Sequence, residues 1–350
     1  MSKGSTELPS RAAARQPAKK TKKQKPKKKR SVLKMFFVVL FAILLIIAAG
    51  LAYLVFKADK AVDQISVPGE TEVVVPPEES VKKKAVGMLL MGIDSRSHGG
   101  GLNTDVMMVA VFNPNSKSAT IVTIPRDSNI DIDGYRARKA NAFYADFYMN
   151  ALNTKKMKKE AAYADAKQEV RTVMSKLFDI DLKYTAVINF QGFADVVDAL
   201  GGVEVDVDMR MKYKDSADGT NIDLQPGFQR LSGEKALDFV RYRKSNNGKN
   251  MSSDFDRNKR QSQVIGALTD KMKSLDGITK LGSVIEAVGN NLTMDMPSNE
   301  IKNMMSTYLG ISREDVTFIP LEGTWKSPYV YLSEQNLNEA RAALQAKMAE

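Results

Sequence analysis

Three near-continuous apolar runs of strand length, Val86–Ile93, Val106–Phe112 and Ala119–Ile124, follow one another with short polar breaks between them. Runs without polar alternation predict strands covered on both faces. Tyr184–Ile188, Val203–Val207 and Val316–Leu321 read as further strands. Helical spacing covers Asn141–Leu152, Lys159–Phe178, a segment ending at Leu200 before Gly201-Gly202, Ser232–Phe239, Asp254–Met272, Leu281–Val288, Ser298–Leu309, and Ser333 to the C-terminus. The expected fold class is α/β (α+β), a central mixed β-sheet flanked by helices and preceded by one N-terminal transmembrane helix.

That last element comes from Met35–Phe56, 22 residues without a charge between Lys34 and Lys57. At about 1.5 Å per helical residue they span a hydrocarbon core of roughly 30 Å. A cleaved signal peptide has a shorter apolar core, so an uncleaved anchor is expected. Residues 1–34 hold 13 Lys or Arg against the single acid Glu7, which leaves 39 of the 52 basic and 40 of the 41 acidic residues in the rest of the chain. The formal charge of +11 therefore belongs to a basic tail. It argues for a cytoplasmic N-terminus and a cell-membrane location, with the C-terminal domain outside and no nucleic-acid partner. The division expected is a disordered tail over 1–34, the span over 35–56, a Pro- and charge-rich linker over 57–84, a catalytic domain over 85–290, and an extension over 291–350 packed on it. The absence of cysteine excludes disulfides and thiolate chemistry.

An up-down-up meander of the first three strands would bring Asp94, Asp105 and Arg126-Asp127 to one sheet edge. Aspartates at strand ends are ordinarily turn residues; two at one edge also suit Mg²⁺, with Mn²⁺ possible, shared with phosphate oxygens. Arg241-Tyr242-Arg243, read as extended, points both arginines to one face. The apolar stripe Val264, Ile265, Leu268 and Met272 extrapolates back to Gln261 and Arg257 on the buried side of a helix. An arginine there must be partnered, by a ligand anion or by Asp254 or Glu234. Together with Arg260 beside Gln261, these residues describe a metal-assisted pyrophosphate site, since planar guanidiniums match phosphate oxygens two by two. His98-Gly99-Gly100-Gly101 imitates an oxyanion loop, yet no G-x-S-x-G elbow is present and His98 is the only histidine.

The ordered segments Gly92-Ile93-Asp94-Ser95-Arg96, Thr104-Asp105, Ile124-Pro125-Arg126-Asp127-Ser128, Lys139-Ala140-Asn141-Ala142, Leu231-Ser232-Gly233-Glu234, Arg241-Tyr242-Arg243 and Asp256-Arg257-Asn258-Lys259-Arg260-Gln261 resemble the LytR-CpsA-Psr family of bacterial cell-envelope proteins, over about residues 85 to 275. The resemblance implies a phosphotransferase that moves an anionic glycopolymer, of wall teichoic acid or capsule type, from an undecaprenyl diphosphate carrier to a peptidoglycan acceptor. It implies Mg²⁺ on Asp94 and Asp105 and the diphosphate on Arg126, Arg241, Arg243, Arg257 and Gln261, with Arg96 a further contact. Arg126 and one of Asp94 or Asp127 would act in catalysis, the aspartate by accepting the proton. The sequence departs from the pattern at Phe143-Tyr144-Ala145-Asp146, where glycines are expected, and in a Lys-rich insert at 155–159. The rival readings are a pyrophosphatase that passes the same intermediate to water and a noncatalytic lipid-carrier sensor.

Overall fold

The computed structural model describes residues 75–94, 101–216, 219–289 and 291–350. The basic tail, the apolar span, most of the linker, Arg96 and His98 lie outside them. No described helix is long and apolar enough to cross a membrane.

The strands are β1 Val86–Ile93, β2 Thr104–Asn113, β3 Ser118–Thr123, β4 Asn129–Ile130, β5 Arg138–Lys139, β6 Leu182–Asn189, β7 Val203–Val207, β8 Met211–Lys214, β9 Asn221–Leu224, β10 Gly227–Leu231, β11 Leu292–Met294, β12 Val316–Pro320, β13 Gly323–Lys326 and β14 Tyr329–Leu332. Six of them form the central sheet in the order β11-β6-β1-β2-β3-β12. β1, β2 and β3 are the antiparallel meander read from the apolar runs, and β6 and β12 join β1 and β3 in parallel.

Both faces of this sheet are covered, which is why its strands carry no polar alternation. On one face Leu89, Met91, Val109 and Val122 pack with Phe143, Val170, Met174 and Leu344 from the helices Phe143–Asn153, Lys159–Phe178 and Glu334–Ala349. On the other, Met88 meets Ile285, Val288 and Ile301, while Met108, Ala110 and Ile121 meet Ile265. These residues come from the helices Asp254–Lys273, Leu275–Val288 and Ser298–Tyr308. The fold is thus mixed α/β with a central mixed sheet and flanking helices.

A satellite core gathers β7 with β10 and β8 with β9 around Val205, Met211, Phe239, Tyr242 and Val264. It fixes the helix Gly233–Arg241, which brings Arg241 to the sheet edge. Ser232 caps that helix by accepting from the Lys235 amide. Its first residue, Gly233, lies so close to the helix Phe190–Ala199 that a Cβ would come within 2.1 Å of the Ala194 carbonyl oxygen.

The end of the linker belongs to the folded body. Glu300 is 1% exposed and accepts from Ser80 Oγ at 2.9 Å and from the Val81 amide at 2.7 Å. Past residue 290 the chain supplies the two outer strands of the central sheet and a helix on each of its faces.

Gly233→Ala is expected to cost about 3 kcal/mol, because backbone blocks the added methyl and the helices must separate. Urea denaturation of the variant measures it.

Candidate functional site

β1 ends at Ile93, which pairs with Thr104 at the start of β2, and the Ile124 amide beyond β3 donates to the Met107 carbonyl. Asp94, Asp105 and Arg126 therefore meet at one edge of the sheet. Arg126 Nη1 is in close contact with Asp105 Oδ1, and Arg257 Nη2 stands 3.8 Å from the same oxygen. Arg257 also donates from Nη1 to Asp254 Oδ1 at 3.2 Å, so the sheet-edge contact and the ion pair within its own helix are both present. Arg241 Nη2 lies 3.9 Å from Asp94 Oδ2, and Arg243 Nη2 3.2 Å from Asp127 Oδ2. Arg126, Arg241, Arg243 and Arg257 are thus brought to the three acids at this edge.

The helix Asp254–Lys273 presents Arg257 and Gln261 inward as its stripe predicts, at 3% and 5% exposure, and leaves Lys259 exposed. Its start is fixed by a capping box between Ser253 and Asp256. The Arg241-Tyr242-Arg243 reading needs correction. Arg241 is the last residue of the helix, whose buried Ala236, Phe239 and Val240 carry helical spacing up to it, and only from Tyr242 (φ −54°, ψ 123°) does the chain leave the helix. Tyr242 fills the satellite core with no exposure, and this turns both flanking arginines toward the carboxylates.

Two further residues prove structural to the site, and for Arg260 this corrects the expectation that it joins Arg257 and Gln261 in holding the anion. Lys139 Nζ donates to Asp127 Oδ1 at 3.0 Å; the two-residue pairing of β4 with β5 places it there, and a ladder that short leaves no sequence signal. Arg260, one turn beyond Arg257 and 2% exposed, forms a two-pronged pair with Asp208 at 2.7 Å on each prong. Its remaining nitrogen donates to the Tyr242 carbonyl and Ser252 Oγ, so Arg260 braces the segment that carries Arg241 and Arg243.

Electrostatically, Arg126, Arg241, Arg243, Arg257 and Lys139 face Asp94, Asp105, Asp127 and Asp254, which leaves one positive charge in excess. Burial pulls the Arg257 guanidinium below the ordinary arginine range against the opposing pull of Asp105, and neighbouring Arg126 deepens the drop. Arginine nevertheless stays charged at any working pH. The Nε atoms of Arg126 and Arg257 are both buried with no hydrogen-bond partner. Buried donors in that state have room for an added acceptor, and an anionic one makes the stronger bond to a guanidinium. At Asp127, burial favours the neutral acid, but the hydrogen bond from Lys139 and the charges of Arg126, Lys139 and Arg243 outweigh it and hold the carboxyl below its usual range.

A cavity of about 280 Å³ opens beside this cluster, between β1, β2 and β6 and the helices Phe190–Ala199, Gly233–Arg241 and Asp254–Lys273. Its wall is Leu90, Val106, Met108, Phe193, Leu237, Val264 and similar residues, with Arg241 and Gln261 as its polar members besides Asn189. Arg241 is held over the Phe190 ring at 4.4 Å. No group of three or more metal-binding side chains occurs among the described residues. Asp94 and Asp105 offer oxygen donors alone, the type that Mg²⁺ takes together with phosphate and water.

An apolar pocket with the Arg241 guanidinium on its wall, beside the other arginines, suits an amphiphile with an anionic head. The chain belongs to the LytR_cpsA_psr family, whose profile matches residues 52–346. This match continues well past the sequence motifs, through β11, β12 and the β13–β14 hairpin. Among its relatives, the polyisoprenyl-teichoic acid–peptidoglycan teichoic acid transferase TagT of Bacillus subtilis (strain 168) is 31% identical over 318 residues, covering 86% of this chain and 90% of TagT. TagU of Oceanobacillus iheyensis, a transferase of the same description, is 29% identical over 273 residues, 77% of this chain and 78% of its own. The crystal structure of B. subtilis TagV superposes with a TM-score of 0.59 at 26% identity, over 76% of this chain and 98% of TagV. That of TagT bound to LI-WTA gives 0.56 at 27% identity, over 82% and 100%.

The lowered pKa of Asp127 has a thermodynamic consequence. A carboxyl with a lower pKa folded than unfolded contributes stability above its unfolded value, and loses it as pH falls through the folded one. Asp127→Asn should therefore flatten the loss of stability below about pH 4, the ordinary aspartate pKa, when denaturation midpoints are compared across acid pH.

Proposed function

We propose that this protein is a transferase that attaches an anionic glycopolymer, of wall teichoic acid or capsule type, from a polyprenyl diphosphate carrier to peptidoglycan. The observation that carries the reading is the arginine cluster with unpartnered buried donors, joined through Arg241 to the wall of an apolar cavity. The isoprenoid would occupy the cavity and the diphosphate would lie against Arg126, Arg241, Arg243 and Arg257. Gln261, on the cavity wall beside them, would bond a phosphate oxygen. The relatives named as teichoic acid transferases support the same chemistry.

In the reaction a hydroxyl of the peptidoglycan acceptor attacks the sugar-side phosphorus. A new P–O bond forms, the bond to the bridging oxygen breaks, and polyprenyl phosphate leaves with the electron pair. The guanidiniums position the diphosphate and stabilise charge gathering on the bridging and leaving oxygens. The hydroxyl proton would pass to Asp94 or Asp127, of which Asp127 is held by Lys139 and Arg243. Mg²⁺ held by Asp94 and Asp105 would supply Lewis-acid stabilisation of the phosphate oxygens. The span Met35–Phe56 would anchor the chain in the cell membrane with the site outside, next to its lipid-borne donor.

Arg257→Ala should lower transfer of polymer to purified peptidoglycan by about 10²- to 10³-fold, the usual loss for a donor at developing charge. Product analysis of the unaltered protein tests the reading itself: polymer bound to peptidoglycan supports transfer, and free polymer phosphate alone would show hydrolysis instead. Ile265→Trp, which fills the cavity, should raise KM for the long-chain lipid donor about tenfold and leave a donor with a short prenyl chain much less affected.

A further inference from the structure

A second pocket, of about 160 Å³, borders the same cluster and shares no wall residue with the apolar cavity. It is built by Arg243, Ser252, Ser253, Asp254 and Phe255 on one side and by Trp325 and Val330 of the β13–β14 hairpin on the other. The hairpin is tied to the site by the Val330 amide, which donates to the Asp127 carbonyl at 2.9 Å. Lys139, already bonded to Asp127, holds its ammonium 5.9 Å from the ring centres of both Trp325 and Tyr329. Large aromatics are normally buried, yet Trp325 is 49% and Tyr331 44% exposed.

We infer that the β13–β14 hairpin, with Trp325 at its centre, is the subsite that receives a sugar ring of the peptidoglycan strand and delivers its hydroxyl to the phosphate site. The inference rests on the transferase reading above. A pyranose presents a face of C–H groups that packs on an aromatic plane, while its hydroxyls and amides reach polar neighbours such as Ser253, Asp254 and Lys139. An open shelf also suits a polymer, which must enter sideways and continue beyond the pocket in both directions. Geometry separates this ligand from the donor. In an in-line displacement the attacking oxygen approaches opposite the leaving oxygen. The leaving oxygen belongs to the lipid, whose cavity adjoins Arg241; the shelf adjoins Arg243, beyond the buried Tyr242.

Trp325 is the only tryptophan in the chain, so its emission reports on this pocket alone. The full-length protein in detergent is titrated with a soluble peptidoglycan-derived tetrasaccharide and, separately, with the lipid-linked donor. The expected result is a saturable change in emission with the tetrasaccharide. In the transfer assay Trp325→Ala should raise KM for the glycan strand about tenfold with KM for the donor unchanged, and Trp325→Phe, which keeps an aromatic plane, should recover most of the loss. An unmoved acceptor KM in the alanine variant would overturn the inference. So would a rise confined to the donor KM, which would place the donor's own sugar on the shelf. Should the unaltered protein release polymer only to water, the transferase reading fails; saccharide binding at Trp325 is still judged by the emission titration.

Discussion

Positive charge held out of water is the condition on which this molecule is organised. Arg257 is buried on the inner face of its helix and meets Asp105 from one strand, Asp254 from its own first turn and the like charge of Arg126 from a third segment. Burying one partner of such a group without the others would cost several kcal/mol. The sheet edge, the helix Gly233–Arg241 and the helix Asp254–Lys273 must therefore assemble together. Arg260 extends the same logic away from the site, using a second buried guanidinium to lock the chain at Tyr242.

Legibility in the sequence followed the length and uniformity of each signal. The apolar runs of β1, β2 and β3 predicted the meander, and with it the meeting of Asp94, Asp105 and Arg126, because a buried strand has no other composition available. The stripe from Val264 to Met272 predicted the inward Arg257 and Gln261 because helical spacing extrapolates. β8, β9 and β13 were invisible: four residues such as Met211-Lys212-Tyr213-Lys214 alternate too briefly to stand out from a loop. Lys139 and Trp325 escaped for a related reason, since each reaches the site through a pairing between short, distant segments that leaves no periodic trace.

The departure at Phe143-Tyr144-Ala145-Asp146 acquires a physical meaning in the fold. Phe143 and Tyr144 are core residues at the start of a helix, and Asp146 pairs with Arg138 at 2.7 Å. Arg138 in turn lies over the Phe143 ring at 5.1 Å. The stretch thus stiffens the segment that carries Lys139, on the shelf side of the phosphate cluster and away from the apolar cavity. Variation there is placed to alter what the protein delivers its polymer to, more than the lipid it takes it from.

The carboxylate of Glu300 sets where this body can be cut. Ser80, Val81 and Asn303 satisfy it, and two of those three partners come from the strip of chain leading into β1, at the end of that strand opposite Asp94. An excised soluble fragment beginning after Lys84 would take two hydrogen-bond partners from the Glu300 carboxylate and open a groove beside Ile301; one beginning near residue 75 keeps the plug in its socket.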